Sequence, residues 1–361
     1  MKIKIAFYSH TIDYAGTWRS HERVILNLDR DRYIPYVIYN VNADNNRLGK
    51  IKNELGDEFV IPFSASTKKM DANYGYTPLE TNFSDVIKKI SPNILHFARS
   101  GYYEWPFNER HCPIQIETNI FGFMDNTKFI DYSVSISETV KKIRGGNTEV
   151  IYNPMPKPLN DDKNLRSELG ISSDTIVLGR IGRPDNFTPI SIDAAKNLKS
   201  VGINFKYIII GACQKVKEKI KEYKLEENFI LYDTTNDDYF IHKFYNTIDI
   251  FAHYRSDGET FGTAIAQSMI YGKPVVTHKA GTNGQEEIIG DCGLISDNTI
   301  EYFGSLLKLI KDKEYYNELS NKTKLRGNIF LIENTVPKFD KIYTKLYNQK
   351  KWNTHNTMKK Q

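Results

Sequence analysis

The stretch "IDIFAHYRSDGETFGTAIAQSMIYGKPVVTH", residues 248–278, contains a complete alternation of two element types. "IDIFAHY" is a short apolar run that reads as a buried strand, and "RSDGE" is its polar exit loop. Apolar residues then fall at helical spacing from Phe261 or Gly262 onward, with Ala264, Ile265, Met269 and Ile270 expected to be buried. "KPVVTH" is a second buried strand. Strand, helix and strand in so short a span indicate a mostly parallel sheet covered on both faces.

The same alternation extends in both directions. Upstream of this stretch lie "TIVLGRI", "NFKYIIIGAC" and "NFILYD", and "GLIS" lies downstream, with "SIDAAKNLKS" and "YFIHKFYN" among the helical segments. The first half repeats the pattern with "IKIAFYS", "YIPYVIYN", "FVIPFS", "NILHFA", "PIQIETN", "YSVSIS" and "EVIYN". Helical segments such as "HERVILNLD", "LETNFSDVIKKI" and "SETVKKIRG" intervene; Leu79, Phe83, Val86, Ile87 and Ile90 predict a docked helix over 79–90. Between the halves, "PMPKPLNDDKN" (154–164) has three prolines and no periodicity, as an interdomain linker should. The expected fold class is therefore α/β, with two Rossmann-like, doubly wound domains facing each other across a cleft. Residues 1–155 form the first and 156–340 the second. Residues 341–361 read as a helix end and basic tail that frays in solvent, touches an anionic membrane surface, or packs back on the first domain.

Bulk properties agree. A chain of 361 residues exceeds one ordinary core. Its 40% hydrophobic and 26% charged content is that of a soluble globular protein. A net charge of +5 is too modest to argue for nucleic acid. No apolar run approaches the ~20 residues of a membrane span, and "MKIKIAFYSH" lacks a signal-peptide cleavage site. Cys112, Cys213 and Cys292 are widely spaced, form no metal or redox motif, and fit a cytoplasmic protein.

Ligands of doubly wound sheets sit at the carboxyl ends of the strands, which puts several residues in view. A helix beginning near Gly262 gathers free N–H groups and partial positive charge, with Thr260 or Thr263 adding a hydroxyl, and so suits a diphosphate. Glu259 at its mouth would repel phosphate but can accept hydrogen bonds from sugar hydroxyls. Gln267, two turns into the helix, has an amide that suits a ribose diol; a dipole-favoured surface Glu and a surface Gln are the plainer readings. In "LGRIGRPDNF" (178–187), Arg183 at the strand exit can neutralise a diphosphate, or simply pair with Asp185. Gly16 in "YAGTW" permits close backbone approach or marks a plain turn. Glu117, Thr118 and Asn119 end another strand as a polar cluster suited to hydroxyls, and His96 ends its own strand, where a satisfied core histidine is the plainer reading. "GTNGQEEIIG" (281–290) is a loop and short helix expected beside the loop after "IDIFAHY". No carboxylate or histidine cluster has ligand spacing, so no metal is implied.

Together these segments resemble the glycosyltransferases of family 4, which have the GT-B architecture. The block from "DIFAHYRSDGETFG" to "GQEEII" is similar to that family's donor-site block, and "TIVLGRIGRPD" to its Gly-Arg strand end. The resemblance implies a retaining transfer from a nucleotide-diphosphate sugar to a saccharide, lipid-linked or protein-linked acceptor, without a further cofactor. Glu259 would meet the donor sugar, and Thr260, Phe261 and Gly262 would cradle sugar and phosphate. Arg183, or Arg180 if it points into the cleft, would take the diphosphate, with Gly16 approaching from the first domain. Glu117, Thr118, Asn119 and His96 would lie on the acceptor side. The sequence departs from the pattern at Gln267, where a second Glu usually holds the ribose, in lacking the Lys that usually follows the Gly-Arg, and in showing "ETNIFG" where a His-Asp is common. A degenerate sugar-nucleotide-binding protein or partner subunit is the alternative class. A sugar-nucleotide epimerase is the third, and it would need a titratable pair the sequence does not offer.

Overall fold

The computed structural model describes the chain except Met1, His10, Tyr14, Ala15 and residues 70–75, 102–104, 107–108, 125–127, 147, 236 and 359–361; the side chains of 67–69, 76–79 and 352–358 are likewise outside the described set. The chain divides into two units, Met1–Met155 with Ile332–Gln361, and Pro156–Leu331. The division after Met155 falls at the start of the proline-rich segment. The second division falls at 331/332 and not at 340, because the last helix, Ile332–Met358, belongs to the first unit. Its Val336, Phe339, Ile342 and Tyr343 are buried in that unit's core.

The first unit is built on a seven-stranded sheet in the order Val60–Phe63, Tyr33–Asn40, Ile3–Tyr8, Ile94–Arg99, Ile114–Asn119, Tyr132–Ser135, Glu149–Val150. Every pairing is parallel. Ile94–Arg99 and Ile114–Asn119 are buried at every position, so both faces of the sheet centre are covered. The helix Gly16–Leu26 lays Trp18, Val24 and Ile25 into the core. It also buries Glu22, whose carboxylate accepts Arg47 Nε at 2.8 Å, Arg47 Nη2 at 2.6 Å and Trp18 Nε1 at 3.0 Å. That ring of donors is what lets a carboxylate sit in the interior.

The helix predicted over 79–90 begins only at Phe83, with Phe83, Ile87 and Ile90 buried. Tyr76–Thr81 is instead a strand, antiparallel to Ala65–Lys69. Glu80 and Thr81 are taken up by pairing with Ser66 and Ala65, and Thr81 Oγ1 accepts the Phe83 N–H at the actual start.

The second unit carries a six-stranded parallel sheet in the order Phe229–Tyr232, Phe205–Ile210, Ile176–Ile181, Ile250–Ala252, Val275–His278, Gly293–Ser296. Strand order reverses between Ile176–Ile181 and Ile250–Ala252, which makes their carboxyl ends the topological switch point. The segment after Pro156 is tied to this unit: His242 Nε2 lies 2.9 Å from Asp161 Oδ1, and Tyr271 Oη lies 2.8 Å from His242 Nδ1. The basic stretch from Leu346 is helical through Met358, so its first part is not a frayed tail.

Burial also sets an acid sensitivity in the first unit. His21 is enclosed by Phe7 and His96, its two ring nitrogens have no hydrogen-bond partner, and desolvation lowers its pKa to about 3. Above pH 6.5 the imidazole is neutral in both folded and unfolded chains. Between pH 6.5 and about 3 the unfolded chain takes up a proton that the folded chain refuses. Stability is therefore lost over this window as pH falls, by at most about 1.4 kcal/mol per pH unit. Urea unfolding at pH 7 and pH 4.5 should show a smaller acid loss in His21→Leu than in the native chain; an unchanged loss would contradict the assignment.

Candidate active site

The candidate site is assembled from the two strand exits at the switch point of the second unit. Tyr207 Oη donates to Ala252 O at 2.7 Å and Tyr302 Oη to His253 O at 2.9 Å, so two buried tyrosines hold the exit of Ile250–Ala252. The chain then runs through His253, Tyr254 and Arg255 to the two-residue strand Gly258–Glu259, which pairs in parallel with Thr282–Asn283. This pairing puts the 281–290 segment beside the loop after "IDIFAHY". It requires glycine: Gly258 has φ +79°, and a Cβ there would lie 1.7 Å from Thr282 O. A second close approach is at Gly284, where a Cβ would lie 2.5 Å from Glu259 O and 2.6 Å from Thr260 O.

Glu259 is the centre of the group. Its backbone N–H donates to Gln285 Oε1 at 3.0 Å, and Gln285 is held in turn by His278 O and Asn283 Oδ1. Its carboxylate has His253 Nε2 at 3.3 Å from Oε1 and Arg255 Nη1 at 3.4 Å from Oε2, yet the side chain remains 18% exposed. Each carboxylate oxygen accepts more than one hydrogen bond, so the group keeps capacity for an outside donor. Burial, only partly offset by the Glu259 charge, lowers the pKa of His253 and keeps its imidazole neutral. Burial likewise lowers His278, whose Nδ1 donates to Lys279 O while Nε2 accepts the Arg255 N–H.

Gly262 is in the left-handed region, φ +88°, and caps the helix Thr263–Ile270. Ile265, Ala266, Ser268, Met269 and Ile270 face inward, whereas Ala264 is only half-buried, its carbonyl accepting Tyr245 Oη. Thr263 and Gln267, one turn apart, lie on the more open side. Thr260 is half-buried, and Phe261 is buried edge-on against Phe330.

The two arginines separate. Arg183 is on the surface, 62% exposed and 3.8 Å from Asp185, the plainer of the two sequence readings. Arg180 is 3% exposed and lies at the switch point. Its guanidinium sits 4.3 Å over the Tyr254 ring, donates to Gly211 O and Arg183 O, and leaves Nε buried without a partner. A Cβ on Gly182 would meet Arg180 Nη2 at 2.8 Å, so glycine leaves the guanidinium its space. In the first unit, Gly16 is exposed at the first position of its helix.

The four acceptor-side candidates lie inside the first unit and are taken up by it. His96 Nδ1 is 2.6 Å from Tyr343 Oη and Nε2 is 2.9 Å from Thr118 Oγ1, the satisfied core histidine. Glu117 pairs with buried Arg99 and accepts Ser133 Oγ and Arg144 Nη2. Asn119 receives the Gly122 N–H and donates to Phe123 O, which shapes the turn after the strand. All four are almost fully buried, and their polar atoms are engaged by partners within the first unit.

Among the described residues no group of three or more His, Cys, Asp or Glu is placed to hold a metal ion. Among them, too, no helix is long and apolar enough to cross a membrane. Sequence reading overlooked His253, Arg255 and Gln285. The available signal was a histidine at the end of an apolar strand and an arginine opening the polar loop that follows it.

Gly284→Ala should cost about 1–3 kcal/mol by forcing the 258–260 backbone aside. Gly304→Ala, on the exposed face of the helix Thr299–Lys311 with open space at its Cβ, should be neutral or stabilising by up to about 1 kcal/mol. Thermal unfolding of the two variants checks the contrast.

Residues 162–326 match the family model described as glycosyl transferases group 1. A comparison with curated proteins finds no match. Among solved structures, an Anabaena protein, HepE, in complex with UDP and glucose aligns with TM-score 0.73 at 17% identity, over 95% of this chain and all of its own. A glycosyltransferase from Rickettsia africae aligns with TM-score 0.72 at 16% identity, over 96% and 98%. A sucrose-phosphate synthase from Thermosynechococcus elongatus aligns with TM-score 0.70 at 13% identity, over 96% and 100%. The second unit, with Glu259 and Arg180 at its switch point, thus carries a group 1 glycosyl transferase domain, and the chain is a glycosyltransferase with the two Rossmann-like units of the GT-B fold.

Proposed function

We propose that the chain is a retaining glycosyltransferase that uses a UDP-sugar and an acceptor hydroxyl on a saccharide, lipid-linked or protein-linked glycan. The observation that carries this reading is Glu259: a partly exposed carboxylate held beside the N-terminus of Thr263–Ile270 in the group 1 domain. The helix end and the unpaired Nε of Arg180 supply positive charge for a diphosphate. Glu259 then has sugar hydroxyls as its natural partners. UDP is chosen because HepE, of similar fold, was solved with UDP and glucose.

In this reading the bond from the sugar's anomeric carbon to the diphosphate breaks as the acceptor oxygen bonds to that carbon. The acceptor proton passes to the departing phosphate. Gln267, on the open side of the helix, would meet the ribose through its amide in place of the more usual carboxylate. The reaction takes no metal, because arginine and helix end provide the charge that a cation would otherwise supply. A cytoplasmic setting, with the acceptor at a membrane face, fits the resemblance.

A thermal-shift panel of UDP-, GDP- and ADP-sugars should give its largest shift with a UDP-sugar. Glu259→Ala should abolish transfer while UDP still binds. Arg180→Ala should weaken UDP about tenfold or more, as loss of a charged hydrogen-bond partner does. EDTA should leave turnover unchanged, and proton NMR of the product should show the donor's anomeric configuration. No binding of any nucleotide sugar to the full chain would overturn the proposal.

A further inference from the structure

His253 stands directly behind Glu259. It is 3% exposed, with Nε2 at 3.3 Å from Glu259 Oε1 and Nδ1 at 2.8 Å from Thr277 Oγ1. A carboxylate has no hydrogen to give, so Nε2 carries the imidazole proton and donates it. Nδ1 is then an acceptor and takes the Thr277 hydroxyl hydrogen. One tautomer satisfies the whole chain of contacts.

We propose that His253 is a positioning residue: a Thr277–His253–Glu259 hydrogen-bond chain fixes the Glu259 carboxylate in the orientation that receives the donor sugar. This rests on the reading of Glu259 as the sugar-contacting group. The backbone alone does not fix that carboxylate. Glu259 ends a two-residue strand, and the left-handed Gly262 follows three positions later. The side chain therefore depends on contacts to its two oxygens, His253 at Oε1 and Arg255 at Oε2. Arg255 is also engaged by Asp257, at 2.8 Å and 3.1 Å. His253 is rigid by comparison: its carbonyl is held by Tyr302, its N–H by Val276 O at 2.8 Å, and its ring lies nearly parallel to that of Phe251. Burial keeps the imidazole neutral, so it orients the carboxylate without neutralising it. Thr277 lies on the neighbouring strand Val275–His278 and is itself fully buried, which anchors the far end of the chain.

The test is a double-mutant cycle on the full chain, read as affinity for the intact UDP-sugar, with donor-side kcat/KM and affinity for UDP alone measured separately. His253→Leu should lower kcat/KM about ten- to a hundredfold, the loss of one hydrogen bond to a charged group. UDP affinity should stay within about twofold, because the nucleotide does not touch Glu259. His253→Gln, which keeps an N–H donor, should restore most of the activity. Thr277→Val, a near-isosteric change that does not rely on His253→Leu folding, should show a smaller loss of the same kind. In the Glu259→Ala background, where transfer is abolished, both changes should leave affinity for the intact UDP-sugar unaltered, whereas in the native background each weakens it. Losses of UDP-sugar affinity that persist undiminished in the Glu259→Ala background, or a fall in UDP affinity as large as the fall in kcat/KM, would overturn the assignment. A native chain that turns over no nucleotide sugar overturns the proposed function, and this role with it; persistent losses in a chain that does turn over overturn this role alone.

Discussion

Parallel strands covered on both faces have no wet side, so polar chemistry must gather at their ends. The six-stranded sheet of the second unit obeys this constraint, and the reversal of strand order at Ile176–Ile181 and Ile250–Ala252 selects which ends matter. Everything assigned to the site follows from that choice. Arg180 and Gly182 come from one exit, and His253, Tyr254, Arg255 and Glu259 from the other. Tyr207 and Tyr302 hold the second exit from beneath, so the site rests on sheet and core and not on loop conformation alone.

Putting charged groups at a buried strand end costs desolvation, and the two units meet that cost differently. In the first unit, Glu22 is wrapped by Arg47 and Trp18, and Glu117 by Arg99, Arg144 and Ser133. These carboxylates are closed off, and their role is to hold the fold. In the second unit, Glu259 has a neutral histidine on one oxygen and an arginine at longer range on the other, and it stays partly open. Arg180 keeps a buried nitrogen without a partner. Buried nitrogens without a partner occur in both units, at His21 and Arg144 in the first and at Arg180 in the second; what sets the second apart is that Glu259 keeps an accessible carboxylate.

The alternation of apolar runs and helical spacing was enough to read both parallel sheets, the segment boundary at 155/156 and the helix after Gly262. Those features depend on local hydrophobic pattern and on backbone punctuation by Gly and Pro, which a sequence carries openly. The same pattern failed over 79–82, where the helix predicted from Leu79 begins only at Phe83 because the strand Tyr76–Thr81 occupies its first residues, and at the last helix. The pattern of Val336, Phe339, Ile342 and Tyr343 says that one face is buried but not in which unit.

That Glu259, Gly262 and Gln267 share one strand, turn and helix was legible in the sequence, because that geometry is local. Choosing between Arg180 and Arg183 was not possible in that way, since three residues at a strand exit separate a buried guanidinium over Tyr254 from a surface one beside Asp185. The fate of His96, Glu117, Thr118 and Asn119 was equally hidden, because Tyr343, Arg99 and Arg144 reach them from other elements. Hydrophobic periodicity thus determined the elements and the class of fold. Only tertiary structure decided which polar groups are consumed by the interior and which are left to meet a ligand, because that depends on partners distant in the chain.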